Sequence, residues 1–221
     1  MLRLSTALVL CLAAAGAGAG TLVDLSAEAS RPAANDQVRA RVYSEASGAN
    51  PAELARRVNR DVAEALKLIR ARAGISVKSG AQSTWPVYGR EQKIDGWRLR
   101  SELVLETRDT AAISELLGEL QQMRLAVGEV SQSPSPETRR QVEDETTRDA
   151  IRAFQARAAL VAGQLGKTWQ IRQLNIGHGH QAPVPVFRAM KAMAAEAAPV
   201  PLEGGESLLT TTVSGQIELA D

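Results

Sequence analysis

The sequence predicts an α+β protein in which antiparallel strands pack against two main helices. Segments of alternating apolar and polar residues recur along the chain, as at 97–105, and such alternation is typical of half-buried strands. Two longer segments, 51–73 and 136–165, carry apolar residues at steps of three and four, which predicts amphipathic helices. Consecutive strands joined by polar turns favour antiparallel pairing.

Residues 1–20 are predicted to be a secretory signal peptide. Arg3 precedes an apolar run over 4–15, and alternating Ala and Gly then provide small residues for cleavage. The run is shorter than the roughly 20 residues of a membrane-spanning helix, and an uncleaved anchor is the alternative. Cys11 is the only cysteine and lies inside the run, so the cleaved chain has no thiol. We therefore expect a secreted protein that is suited to an oxidising compartment.

The charge balance argues against a nucleic-acid partner. Lys and Arg number 26 and Asp and Glu 25, so loss of Arg3 with the signal peptide leaves a net charge near zero. No basic cluster is interleaved with aromatic residues, which is the pattern that nucleic-acid surfaces show. We also expect no transmembrane segment in the mature chain, 21–221, because no later apolar run reaches spanning length.

The first half of the chain is predicted to form two strand pairs around a helix. Alternation on both sides of a proline turn predicts an N-terminal hairpin. Asn50 can cap the helix, Pro51 suits its first position and Gly74 ends it. In chain order the predicted elements are a strand at 23–29, a turn at 31–36, a strand at 38–42, a helix at 51–73, a strand from 75 to 88 and a strand at 97–105.

The second half is predicted to repeat this order with a longer helix. Ser135 and Pro136 repeat the capping pattern, and Gly166 ends the helix. The predicted elements are a short helix at 110–120, a strand at 124–131, a helix at 136–165, a strand from 169 whose last buried position is Ile176, and a strand at 209–219. Because the order strand, helix, strand, strand occurs twice, a duplicated β-α-β-β unit is one interpretation.

A Pro-bounded, Ala- and Met-rich excursion is predicted at about 181–206. Long insertions of this kind are often functional, and methionine and aromatic side chains are common at protein contacts. Local core packing is the alternative for each candidate. The candidate contact residues are Trp85, Tyr88, Phe187, Met190 and Met193.

His178 and His180 are the only histidines, and they lie where the sixth strand is predicted to meet the excursion. They are candidates for the mouth of a ligand site, and a solvated strand end is the alternative. Two histidines with no carboxylate nearby in sequence do not supply the three or four ligands of a metal site. Motifs for a nucleophilic serine, a phosphate loop or paired catalytic carboxylates are also lacking. We predict no catalytic, metal-binding or cofactor-binding residue.

Charged residues are expected on the outer face of two strands. If those strands are neighbours, cross-strand pairs of opposite charge would populate one sheet face. A solvated face is one interpretation, and a contact between subunits is the other. The residues are Arg39, Arg41, Arg98, Arg100 and Glu102.

Several segments, spread over the mature chain, carry a pattern shared with one bacterial family. The most specific is the Ala-rich helix that begins near Arg148 and ends in a Gly-Gln-Leu-Gly sequence at Gly166. The others are 27–32, 59–66, 94–97 and 201–207. On these segments the chain resembles the SIMPL-domain family, a family of unknown function. Departures occur at Pro32-Ala33, where the family has Pro-Asp, and before Asp149.

The resemblance implies a secreted protein, usually periplasmic or associated with the envelope, whose role is poorly defined. Some members are linked to oxidative stress, one resembles a ring-forming, channel-like oligomer, and no catalytic residues are established. We therefore expect a non-enzymatic protein without a cofactor that acts through contacts with itself or with envelope proteins. One alternative is a small-ligand binder or enzyme with a cleft near 176–206. A ring- or channel-like oligomer is another.

Overall fold

The computed structural model describes residues 20–90, 93–180 and 204–220. Within these ranges the chain forms seven strands and three helices. In chain order they are β1 (Thr21–Ala34), β2 (Gln37–Gly48), α1 (Pro51–Arg70), β3 (Ser76–Tyr88), β4 (Ile94–Thr107), α2 (Thr110–Gln122), β5 (Ala126–Ser133), α3 (Pro136–Gln164), β6 (Thr168–His180) and β7 (Glu206–Ala220).

The central part of the chain forms a four-stranded antiparallel sheet in the order β3-β4-β2-β5. Alternate residues of β2 and β4, such as Val42 and Leu103, are buried beneath α1 and α2. From α1, Ile69 enters this core, and from α2, Leu117 does so. The sequence alternation of period two therefore becomes one apolar face and one charged face of the same sheet.

The two ends of the chain form a second antiparallel sheet in the order β1-β7-β6. Helix α3 packs on one face of it and buries Phe154 against Val213 and Ile217. Three alanines of α3, Ala150, Ala158 and Ala162, are buried, whereas Ala156 and Ala159 are exposed. The small side chains of the buried alanines let the helix approach the sheet closely, so helix-on-sheet packing explains these positions of α3.

The predicted α+β class is confirmed, with two antiparallel sheets packed against the main helices α1 and α3 and the shorter helix α2. The predicted N-terminal hairpin is wrong. Strands β1 and β2 lie in different sheets, and β1 pairs with β7 along its whole length, from Thr21 opposite Leu219 to Ala34 opposite Glu206. Alternation identifies a strand but carries no information about its partner, and here the partner lies at the other end of the chain.

The order strand, helix, strand, strand occurs twice along the chain, but only the strands of its first occurrence lie in one sheet. In the first unit β2 pairs with β4, the second strand of the hairpin that follows α1. In the second unit α3 is likewise followed by a hairpin, β6-β7, but the strand beside β7 is β1. The strand that precedes α3 is β5, and it pairs with β2 in the other sheet.

The junction between the two sheets is held by Asp36, in the turn between β1 and β2. Its carboxylate accepts hydrogen bonds from the Ser135 backbone N–H (2.6 Å), the Ser135 hydroxyl (2.9 Å) and the Thr138 hydroxyl (2.9 Å). Ser135 is the N-cap of α3 and accepts from Thr138 N–H. Burial raises the pKa of Asp36, but these hydrogen bonds outweigh it and the net pKa is lowered. Asp36 therefore fixes the start of α3 to the turn that leaves the second sheet.

Candidate contact surfaces

The outer face of the four-stranded sheet carries the predicted charged residues, and it has no helix over it among the described elements. Because β2 and β4 are neighbours, the expected cross-strand pairing is confirmed. Arg39 lies opposite Glu106 and bonds to it (2.5 Å). Arg98 approaches Glu45 at 3.6 Å. The face is therefore a lattice of opposite charges rather than a field of one sign.

Two groups on this face, Arg100 within β4 and Glu106 near the end of β4, are held by specific contacts. The guanidinium of Arg100 lies over the Tyr43 ring, 3.4 Å from its centroid, and contacts Glu102 at 3.1 Å. Burial raises the pKa of Glu106, but the hydrogen bond and charge of Arg39, with a contribution from Lys78, lower it overall. These contacts fix the orientation of the charges.

The far end of the β3-β4 hairpin carries three large apolar side chains in solvent. Trp85 is 36% exposed, Tyr88 62% and Ile94 53%, and Tyr88 lies opposite Ile94 in the strand register. On the helix-facing side of this arm Gln82 and Thr84 are also exposed, so the arm extends beyond the cover of the helices. We call Trp85, Tyr88 and Ile94 the hairpin tip. Sequence reasoning named the first two and missed Ile94, although its position beside a turn in an aromatic-bearing hairpin was a usable signal.

His178 does not lie at a strand end. Strand β6 continues through both histidines, and His178 is opposite Thr211, with its Nδ1 3.2 Å from the Thr211 hydroxyl oxygen. The backbone of His180 is opposite Leu209. The prediction that Ile176 is the last buried position of the strand is wrong, because Ile176 is half-exposed and the strand runs four residues further.

The other candidate contact residues lie outside the described part of the chain. Phe187, Met190 and Met193 all fall in 181–203, as does most of the predicted excursion. Their role stays a prediction, as does the ligand mouth at His178 and His180.

Cavities in the described residues are open and shallow. One of about 520 Å³ lies at the ends of β2, β3 and β4, beside Glu106 and Arg108. A smaller one, about 200 Å³, lies on the outer face of the β1-β7-β6 sheet between Gln173 and Gln216. Neither is lined by His178. No cluster of three or more potential metal ligands occurs within residues 20–90, 93–180 and 204–220.

The fold is an α+β protein of two sheets, one covered on one face by α1 and α2 and the other by α3. Its exposed features are the charged face of the four-stranded sheet and the apolar hairpin tip. No helix in the described ranges has the length and apolarity needed to cross a membrane. The chain belongs to the SIMPL family, described as a protein of unknown function (DUF541), whose model matches residues 23–217.

Comparison with other proteins adds little on activity. No functionally curated protein matches the chain. Among solved structures, one similar chain is a crystal structure provisionally assigned as an amidohydrolase/peptidase from Burkholderia cenocepacia. It is 14% identical, covers 51% of this chain and 30% of its own length, and has a TM-score of 0.23. A similarity of that size carries no argument about function.

Proposed function

We propose that this SIMPL protein is a non-enzymatic protein of the periplasm or cell envelope that acts by binding proteins, its own copies included, through the hairpin tip. The observation that carries the proposal is the exposure of Trp85, Tyr88 and Ile94 together at the end of one arm. Tyr88 and Ile94 are directly opposed and share one face, while Trp85 lies on the other face of the same arm. Scattered exposed apolar residues are ordinary, but several at the end of one arm mark a contact site. Aromatic side chains are enriched where proteins meet.

The arm is suited to this role because no described part of the chain covers its exposed apolar side chains. Its strands are held by main-chain pairing from Trp85 opposite Arg98 to Tyr88 opposite Ile94. A rigid two-stranded arm presents its side chains with little further loss of conformational freedom on binding. Arg98 beside Trp85 adds a donor group of the kind found at contact centres.

A paired substitution tests the hairpin tip. We expect Trp85→Ser with Tyr88→Ser to lower the molar mass of the purified protein in size-exclusion chromatography with light scattering, or to weaken its binding to an envelope partner at least tenfold. Leu160→Ser, an exposed leucine on α3, is the control and should change neither. A wild-type protein that is monomeric and binds no envelope protein would contradict the proposal.

The proposed location has its own test. The signal-peptide pattern at residues 1–20 supports export. We expect the protein in the periplasmic fraction, with an intact mass that lacks the residues up to Ala17 or Ala19. Retention of Met1 in a membrane fraction would instead indicate an uncleaved anchor.

A further inference from the structure

Among residues 20–90, 93–180 and 204–220, no strand pairs with the edge of β6 that faces away from β7, and this edge is separate from the hairpin tip. We infer that this edge pairs antiparallel with the same strand of a second copy of the chain. Two β1-β7-β6 sheets would then join into one continuous sheet of six strands. The partner at this edge is expected to be a β-strand, because another strand best satisfies the unpaired main-chain N–H and C=O groups of an edge.

Edge strands usually carry devices that prevent such pairing, namely charges, prolines and bulges. The other three edges of this fold have them. On β1 these are Arg31 and Pro32, and on β3 they are Lys78 and Pro86 together with two register shifts. On β5 they are Glu129 and a register shift at Gly128.

The second half of β6 has none of these devices. Residues 173–179 contain no Lys, Arg, Asp, Glu or Pro, and the irregularity in the β6 register lies before them, between Ile171 and Gln173. Among the described strands only β7 pairs with β6. Within the described residues, a regular, neutral stretch of edge therefore has no partner strand.

The same stretch has uncovered apolar groups on the side that faces α3. Ile176 is opposite the buried Val213, and Ile171 is opposite the buried Ile217. Both nevertheless remain exposed, Ile176 at 45% and Ile171 at 39%, because α3 packs chiefly on β1 and β7. A strand added beside β6 would cover Ile176 and extend the apolar face.

A second copy fits this edge better than a foreign strand. A two-fold axis through Ile176 places Ile176 opposite its own copy and Leu174 opposite His178. In that register apolar residues stay on the helix-facing side in both copies, since directly opposed residues share a face. No like charges meet in 173–179, and the edge offers no charge by which a foreign peptide would be selected. The result is a closed, isologous contact.

Lysine substitution tests the pairing against a matched position. We expect Ile176→Lys in the full-length chain to raise the dimer dissociation constant at least tenfold in analytical ultracentrifugation. Leu22→Lys is the control, because Leu22 is 54% exposed on β1, at the opposite edge of the same sheet. It should leave the constant unchanged, and circular dichroism should show both variants folded.

Cysteine cross-linking tests the register. In a Cys11→Ser background, Ile176→Cys should form a disulfide-linked dimer under mild oxidation, because the two-fold brings the two side chains together, and Leu22→Cys should not. Both results are required. A dimer that tolerates Ile176→Lys, an uncrosslinked Ile176→Cys protein, or a wild-type monomer each overturns the inference. The Trp85→Ser, Tyr88→Ser protein should still cross-link through Ile176→Cys, so failure of the hairpin-tip proposal remains distinguishable.

Discussion

Asp36 shows how one side chain can secure the connection between two sheets. It receives three hydrogen bonds at the start of α3, and Arg108 lies 3.9 Å from the carboxylate. We expect Asp36→Asn to reduce the free energy of unfolding by about 1–2 kcal/mol at pH 7, because the amide NH2 cannot accept from the two hydroxyls. Urea denaturation measures this. Asp144→Asn, at an exposed position of α3, should change it by less than about 0.5 kcal/mol.

Asp36 also makes the free energy of unfolding depend on pH in a direction that can be stated. Since the folded-state pKa of Asp36 is lowered, its ionised form stabilises the fold above the pKa of the unfolded chain, near 3.9. That contribution disappears as the pH falls through the folded-state pKa. The difference in unfolding free energy between wild type and Asp36→Asn should therefore shrink between pH 7 and pH 3. A difference that stays constant would show that the carboxylate charge has no part in it.

At the scale of the element, the register of β6 depends on a glycine in its neighbour. Arg172 is the extra residue in β6, and beyond it the Gln173 carbonyl closely approaches Gly215 of β7. A methyl group on Gly215 would overlap that oxygen. We expect Gly215→Ala to destabilise the protein by about 1–3 kcal/mol through overpacking, seen as a lower melting temperature. Gly118→Ala in α2, where nothing lies within 4 Å of the added group, should stabilise it by about 0.5–1 kcal/mol.

Local signals in the sequence are sufficient to predict the helices and strands, but they do not predict which strands pair with each other. Asn50 and Ser135 act as N-caps as predicted, each accepting from a backbone N–H of its helix, because capping involves residues two or three apart. The pairing of β1 with β7 was missed because it joins residues nearly 200 apart. The hairpin tip is also only partly predictable from the sequence. Trp85 and Tyr88 could be named by residue type. The exposure of Tyr88 depends on where α1 and α2 end, and that of Trp85 on the outer face having no described helix over it, neither of which alternation encodes.

At the scale of the whole molecule, the two sheets differ in how the chain builds them. The four-stranded sheet uses one continuous segment, 37–133, and has its own buried cluster, which includes Leu103. The three-stranded sheet is assembled from the two chain ends and has a separate cluster around Phe154. The β6 edge and the hairpin tip therefore belong to sheets with separate buried clusters. A substitution that weakens a contact at one of them can leave the other contact intact.

This separation predicts local rather than global loss of structure. We expect Phe154→Ala, which empties a fully buried position, to cost about 3–5 kcal/mol and to reduce amide hydrogen-exchange protection mainly in β1, β6, β7 and α3. Strands β2 to β5 should keep more of their protection, because their cluster does not contain Phe154. Leu103→Ala is the mirror control, with its main loss in β2, β3 and β4. Equal loss across both sheets in the Phe154→Ala protein would show instead that the bonds of Asp36 couple the two cores into one cooperative unit.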